Sequence, residues 1–176
     1  MSAALRTPRP ATAGAKPVGR PARGSERSRR KPRASTSAPL APAVAQSLMT
    51  AAVQARAHSH SPYSRFAVGA ALLTASGTIH HGCNVENASY GLTCCAERTA
   101  VFKAVSEGES DFVAIAVTAR EGQGAPPCGA CRQVLAEFAP DLLVYWRDAR
   151  GRILHKSLSA LLPDQFKFVK AARGRR

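Results

Sequence analysis

Nowhere in the 176 residues do roughly 18 apolar residues follow one another, the length a helical membrane span needs. The N-terminal stretch also has no continuous apolar core of about 7 to 15 residues, which argues against a secretory signal. A soluble chain is expected, in the cytoplasm. Acidic residues are scarce, 11 against 25 Lys and Arg, for a formal net charge of +14. Aromatic residues make up only 6%, but with 45% hydrophobic residues overall this is ordinary globular usage. The length suits one domain with a sizeable core and leaves no room for a second catalytic domain.

A charge of this size could mark a nucleic-acid binder, so its distribution matters more than its sum. Residues 1–40 hold ten Lys and Arg with Glu26 as the one acid, and residues 167–176 hold five with no acid. Residues 41–166 carry ten of each sign, so the folded part is neutral by composition. The first segment is rich in Arg, Ala, Pro and Ser and has almost nothing to bury, so it cannot offset the entropy of ordering. We therefore expect a disordered basic tail over 1–40, a folded domain over 41–166 and a basic C-terminal tail over 167–176. The N-terminal tail loosely resembles an organelle transit peptide in composition, and weak binding to nucleic acid or anionic lipid is open to it.

Pro42 opens a stretch to Ala57, rich in Ala, Gln, Leu and Arg, that predicts a helix, which Pro62 closes off. Residues 66–73 are almost unbroken apolar, as in a strand covered on both faces. The Thr74-Ala-Ser-Gly77 turn returns the chain over 79–85 as the second arm of a hairpin. Apolar positions at helical spacing over 95–105 predict a second helix with Gly108 as a stop, and Cys131, Val134, Leu135 and Phe138 mark a third that Pro140 ends. Strands are expected at 112–117, 142–146 and 153–156, the last two flanking an Asp148-Ala-Arg-Gly151 turn. This order predicts an α/β fold: one mixed five-stranded sheet between helices, a three-layer α/β/α sandwich. No internal repeat is present.

The five cysteines stand at 83, 94, 95, 128 and 131, four of them in two clusters. A disulfide framework does not suit a core of this size, which leaves metal or redox use. Cys128 and Cys131 form a C-x-x-C at the start of the third helix, where positions i and i+3 share a face and the helix dipole favours thiolates. That spacing also serves redox centres and structural zinc. Cys95-Ala96-Glu97 discriminates further, because it adds a third thiolate with a carboxylate two residues on. A structural zinc takes four protein ligands, whereas a catalytic one keeps a place for water and lowers its pKa to about 7. Residues i and i+2 do not share a helix face, so Glu97 can stay off the metal and shuttle protons. As a bland alternative, Glu97 would merely stabilise the first helical turn. His or Cys with C-x-x-C on zinc, and a non-ligand Glu as acid and base, is the known arrangement of nucleobase deaminases.

Over about residues 44–166 the chain closely resembles the small, single-domain cytidine deaminases. The resemblance rests on several ordered segments: Pro62-Tyr-Ser64, Phe66-Ala-Val-Gly-Ala-Ala-Leu72, Gly82-Cys-Asn-Val-Glu-Asn-Ala-Ser-Tyr90, Cys95-Ala-Glu-Arg-Thr-Ala100, Pro127-Cys-Gly-Ala-Cys-Arg-Gln133 and Leu161-Leu-Pro-Asp-Gln-Phe166. It implies one zinc per subunit on Cys95, Cys128 and Cys131, proton transfer by Glu97, and conversion of cytidine and deoxycytidine to uridine and deoxyuridine in pyrimidine salvage. It further implies that Phe66 stacks on the pyrimidine, that Asn84 and Glu86 hydrogen-bond the ribose 3′-hydroxyl, and that Ala88, Tyr90 and Phe166 join the substrate site. Arg98 would set its guanidinium against the ligand sulfurs, restoring electrophilicity to a site of net charge −1. The family is typically a homotetramer with shared pockets, and Tyr90 and Phe166 match positions that act across the interface.

Taken alone, Phe66 would more often be core, Asn84 with Asn87 could shape a turn, and Arg98 would sit in solvent. Cys94 stands where an aliphatic residue is usual and is read as a buried apolar substitute. Three other functions fit parts of the pattern. A deaminase of a nucleoside antibiotic such as blasticidin S would share the cysteine motifs but not the 84–90 segment. A nucleic-acid binder with structural zinc would explain the tails but not the open coordination position. An editing deaminase of polynucleotides would need a basic groove that the neutral domain does not supply.

Overall fold

The computed structural model describes residues 38–119 and 126–168. Most of the two expected basic tails therefore lies outside the described residues. Helix α1 (Pro42–Arg56) begins at the proline the sequence points to, since a proline at the first helical position gives up only an N–H that has no partner there. Strands β1 (Gly69–Thr74) and β2 (Ile79–Cys83) form the hairpin, α2 (Ala96–Ser106) follows, and β3 (Phe112–Thr118) leads into α3 (Gly129–Phe138). Strands β4 (Leu143–Arg147) and β5 (Ile153–Ser157) and the short α4 (Leu158–Leu161) complete the described order.

The five strands make one sheet in the order β2-β1-β3-β4-β5, with β3 and β4 parallel and the other pairs antiparallel. Strand side chains alternate between two apolar clusters. Ala70, Leu72, Ile115, Val117 and Val144 meet Ala100, Val101 and Ala104 of α2 and Leu135 of α3. Ala71, Ala114, Ala116, Leu143 and Tyr145 meet Leu48, Met49 and Ala52 of α1. Burial on both faces explains why β1 and β3 read as continuous apolar runs. The expected three-layer α/β/α sandwich with one mixed sheet is observed. Leu40, expected in the tail, packs with the α1 cluster and donates its N–H to the Tyr145 hydroxyl at 2.7 Å.

Two element boundaries in the hairpin differ from expectation. Residues 66–68 lie outside β1 because the Asn84 side chain takes the place of a ladder neighbour: its Oδ1 accepts from Val68 N–H at 2.8 Å and its Nδ2 donates to the Phe66 carbonyl at 2.9 Å. Val85, expected at the end of β2, instead makes isolated bridges to His60 and Cys94. The sequence reading also contains no element matching α4, whose single turn is capped by Ser157 Oγ accepting from Ala160 N–H at 3.2 Å.

Because β1 is antiparallel to both β2 and β3, the two outer strands run parallel to each other and end at the same edge of the sheet. Each is followed by a helix, so the N-termini of α2 and α3 face one region. Gly82 lets α2 come close: a Cβ there would fall less than 3.0 Å from the Ala96 carbonyl oxygen and the Ala100 nitrogen. Gly82→Ala is expected to cost about 1–3 kcal/mol through overpacking, whereas Gly91→Ala, with nothing within 4 Å of the added carbon, should stay within about 0.5 kcal/mol. Urea unfolding midpoints check this. Equal midpoints for the two variants would show that α2 does not rest on β2 at Gly82.

Candidate active site

Cys95 and Cys128 occupy the N-cap positions of α2 and α3, and Cys131 lies on the first turn of α3. Serine or aspartate at an N-cap would turn its oxygen back onto a backbone N–H. These cysteines make no such bond, so their sulfurs face outward from the helix ends, where unpaired N–H groups favour negative charge. The three Sγ atoms lie within 4.8 Å of one another. That spacing suits three bonds of about 2.3 Å to one zinc ion, and three thiols with no fourth donor grouped with them among the described residues match an open, catalytic-type site. Among the described residues this is the one cluster of metal-ligating groups so placed.

The sulfurs do not share their protons equally. A hydrogen bond from the Cys131 thiol lowers Cys95 to about 5, against the upward push of burial, and Arg98 assists. Cys131 is raised, chiefly because it is the donor in that bond and then because it is buried. Arg98 Nη2 donates to the Thr93 carbonyl at 2.7 Å and approaches Cys95 Sγ at 3.7 Å. The guanidinium therefore sits against the Cys95 sulfur and not in solvent.

Glu97 follows one residue into α2 and is buried, 5% exposed. Burial raises its pKa above the ordinary carboxylate value, with the charge on Cys95 adding to the rise. A carboxyl so placed takes up a proton more readily than a solvated helix-start glutamate, which suits a group that passes protons to a neighbour. It lines a cavity of about 330 Å³ together with Cys95, Cys128, Phe66, Asn84 and Glu86. This volume lies within the range of small-molecule sites.

Asn84 fastens neighbouring segments and also lines the cavity. Its Oδ1 accepts from Ser59 Oγ as well as Val68 N–H, and one Nδ2 hydrogen goes to Phe66, which leaves the second hydrogen for the cavity. Asn87 shapes the turn, its Oδ1 accepting from Ser89 N–H at 2.8 Å. Glu86 accepts from Tyr63 N–H at 2.9 Å, from Ser64 N–H at 3.2 Å and from the Ser64 hydroxyl. The serine hydroxyl bond is the main reason its carboxyl is held below the usual value.

Three expected substrate residues are not brought into this cavity. Ala88 is exposed, Tyr90 is 74% exposed on the 3₁₀ turn after β2, and Phe166 is 72% exposed; none lines it. Cys94 is half-buried, not buried: it precedes the N-cap of α2, and its sulfur accepts from Thr99 Oγ1 at 3.6 Å. Sequence reasoning missed Ser64, Val68, Thr93, Ala96, Val117 and Pro126 as lining residues. Ser64 belongs to a quoted segment, but neither its hydroxyl's bond to Glu86 nor the place of Val117 at the end of β3 has a sequence signal.

Two converging helix starts thus bring three thiols and a buried carboxylate to one cavity. The family model described as the cytidine and deoxycytidylate deaminase zinc-binding region matches residues 42–146. A cytidine deaminase of Halalkalibacterium halodurans is 57% identical over 122 residues, 69% of this chain and 92% of the relative. The crystal structure of cytidine deaminase from Burkholderia pseudomallei aligns with TM-score 0.66 at 49% identity, covering 69% of this chain and 98% of that one. That of Mycobacterium tuberculosis aligns with TM-score 0.62 at 45% identity, covering 70% and 97%. The chain belongs to the cytidine and deoxycytidylate deaminase family.

The Arg98 contact yields a prediction. Arg98→Gln removes the cation beside Cys95 while leaving Asn84 and Glu86 in place, so kcat should fall about 10- to 100-fold with a smaller change in KM. Steady-state kinetics on zinc-loaded protein checks this. A variant that changes KM alone would place Arg98 in binding rather than at the metal.

Proposed function

We propose that the protein deaminates free cytidine and deoxycytidine hydrolytically, yielding uridine or deoxyuridine and ammonia, as a step of pyrimidine salvage. The observation that carries this reading is the buried Glu97 beside the Cys95, Cys128 and Cys131 cluster on the wall of a nucleoside-sized cavity. Cys95, Cys128 and Cys131 would hold one zinc ion per subunit. When bound, zinc supplies Lewis acidity that makes water a nucleophile near neutral pH.

The chain's own groups account for the remaining steps. Phe66 offers a partly exposed ring for the pyrimidine face, and the free Nδ2 hydrogen of Asn84 and the Glu86 carboxylate offer a donor and an acceptor for the 3′-hydroxyl. Glu97 takes the first proton from the attacking water and passes it to N3 of the base as the C4–O bond forms. It then moves the second proton to the amine, which leaves as ammonia when the C4–N bond breaks. Its raised pKa suits both transfers.

The family model spans nucleoside and nucleotide deaminases, and the cavity favours the nucleoside. Among the described lining residues there is no Lys, Arg or His, and Glu86 is anionic, so a 5′-phosphate would find no cation. The match to a relative named cytidine deaminase over 92% of its length favours cytidine over an antibiotic nucleoside.

The same reading takes the enzyme as a homotetramer with shared pockets. The exposed Tyr90 and Phe166 rings support it, since they stand free of the chain's own cavity and are available to a neighbour's. No described helix is long and apolar enough to cross a membrane. A cytoplasmic location suits five free cysteines, three of them needed as thiolates. Weak nucleic-acid binding stays open to the basic N-terminal tail on its charge alone.

Ammonia release from purified protein should follow addition of cytidine or deoxycytidine and not of dCMP or blasticidin S. Glu97→Gln should retain about one zinc per subunit and lose at least about 100-fold in turnover, because an amide cannot relay the proton. Parental turnover by this variant, or equal rates on dCMP, would contradict the reading.

A further inference from the structure

We propose that Gln133 is a positioning residue that clamps the backbone of Phe166 and so presents its ring for nucleoside capture, without itself touching metal or substrate. This rests on the reading that Phe166 closes a pocket. Gln133 Nε2 donates to the Phe166 carbonyl at 2.9 Å, and Phe166 N–H donates to Gln133 Oε1 at 3.1 Å. One side-chain amide thereby satisfies both backbone groups of a residue 33 positions away, the pairing a neighbouring strand would otherwise supply. The contact is entirely to backbone, so the ring stays 72% exposed.

The start of the same segment is held by the preceding residue. Arg132 Nη1 donates to the Leu161 carbonyl at the end of α4 at 2.7 Å, and its Nε donates to the Pro127 carbonyl, next to Cys128, at 2.8 Å. Residues 161–166 are therefore fixed at both ends by consecutive residues of α3 that follow Cys131. Without these bonds the chain after α4 would be free to swing, and an exposed aromatic ring would collapse onto the nearest apolar surface. The clamp ties the position of the ring to the helix that carries two of the three sulfurs. Assembly then brings a ring of defined height and direction to its acceptor.

If Gln133 merely supported α3, its loss would disturb Cys131 and lower zinc content and kcat. A clamp on Phe166 acts on KM instead. Steady-state kinetics and zinc content of the full-length zinc-loaded enzyme test this in Gln133→Met, Gln133→Glu, Phe166→Ala and the double variant Gln133→Met with Phe166→Ala. Methionine keeps length and helix propensity but makes neither bond. Gln133→Met should raise KM for cytidine about three- to tenfold at little changed kcat and full zinc content. Gln133→Glu, which keeps the acceptor for Phe166 N–H and loses the donor, should fall between it and the parent. Phe166→Ala should raise KM at least as much, and the double variant should be no worse than Phe166→Ala.

A raised KM in Phe166→Ala with parental KM in Gln133→Met would overturn the clamp and leave the role of Phe166 standing. Additive effects in the double variant, or loss of zinc or kcat in both Gln133 variants, would overturn it as well. An unchanged KM in Phe166→Ala would remove the reading beneath it and the clamp's consequence together.

Discussion

The site depends on the convergence of two helix N-termini on one point. Strands β2 and β3 run parallel on either side of β1, and each hands the chain to a helix at the same sheet edge. Ligands in α/β sheets bind beyond the carboxyl ends of strands for this reason, because loops and helix starts gather there. The N-terminal approach to antiparallel β1 lies at that edge too, which brings Phe66 and Val68 beside Asn84 and Glu86. Gly82 removes the side chain that would hold α2 away from β2. Packing thus sets the sulfur positions.

Electrostatics sets how the site is used. The lowered Cys95 thiol and the Glu86 carboxylate put negative charge on the cavity wall, and Arg98 is the cation placed against the Cys95 sulfur. Negative charge at two helix starts is favoured by their dipoles, and the guanidinium offsets part of the rest. Burial of Glu97 raises its proton affinity, and the charge on Cys95 adds to the rise. The same negative cavity disfavours a phosphate and sits in a domain whose charges balance, while the excess of Lys and Arg lies in the terminal segments.

Much of this was legible in the residues because the chemistry depends on local spacing. Cys95 and Glu97 share one helix start and Cys128 and Cys131 another, so short motifs announce both halves of the site. Alternating burial on two covered faces made β1 and β3 visible as apolar runs, and prolines and glycines marked the helix ends. What stayed hidden were relations between distant segments. Asn84 replaces strand pairing for Phe66 and Val68 through its side chain, which no periodicity reveals. The single turn of α4 is too short to show a helical period, and Gln133 reads as an ordinary polar helix residue until Phe166 is seen against it. Ala88, Tyr90 and Phe166 were expected at the substrate, yet one chain's fold leaves them at its surface.

X-ray absorption at the zinc edge of the purified enzyme tests most directly whether three cysteines make an open metal site here. Three sulfur scatterers at about 2.3 Å and one oxygen or nitrogen donor at about 2.0 Å are predicted, unchanged when Cys94 is replaced by alanine. Four sulfurs, with Cys94 recruited as the fourth, would mean a closed structural site and would contradict catalysis at this centre.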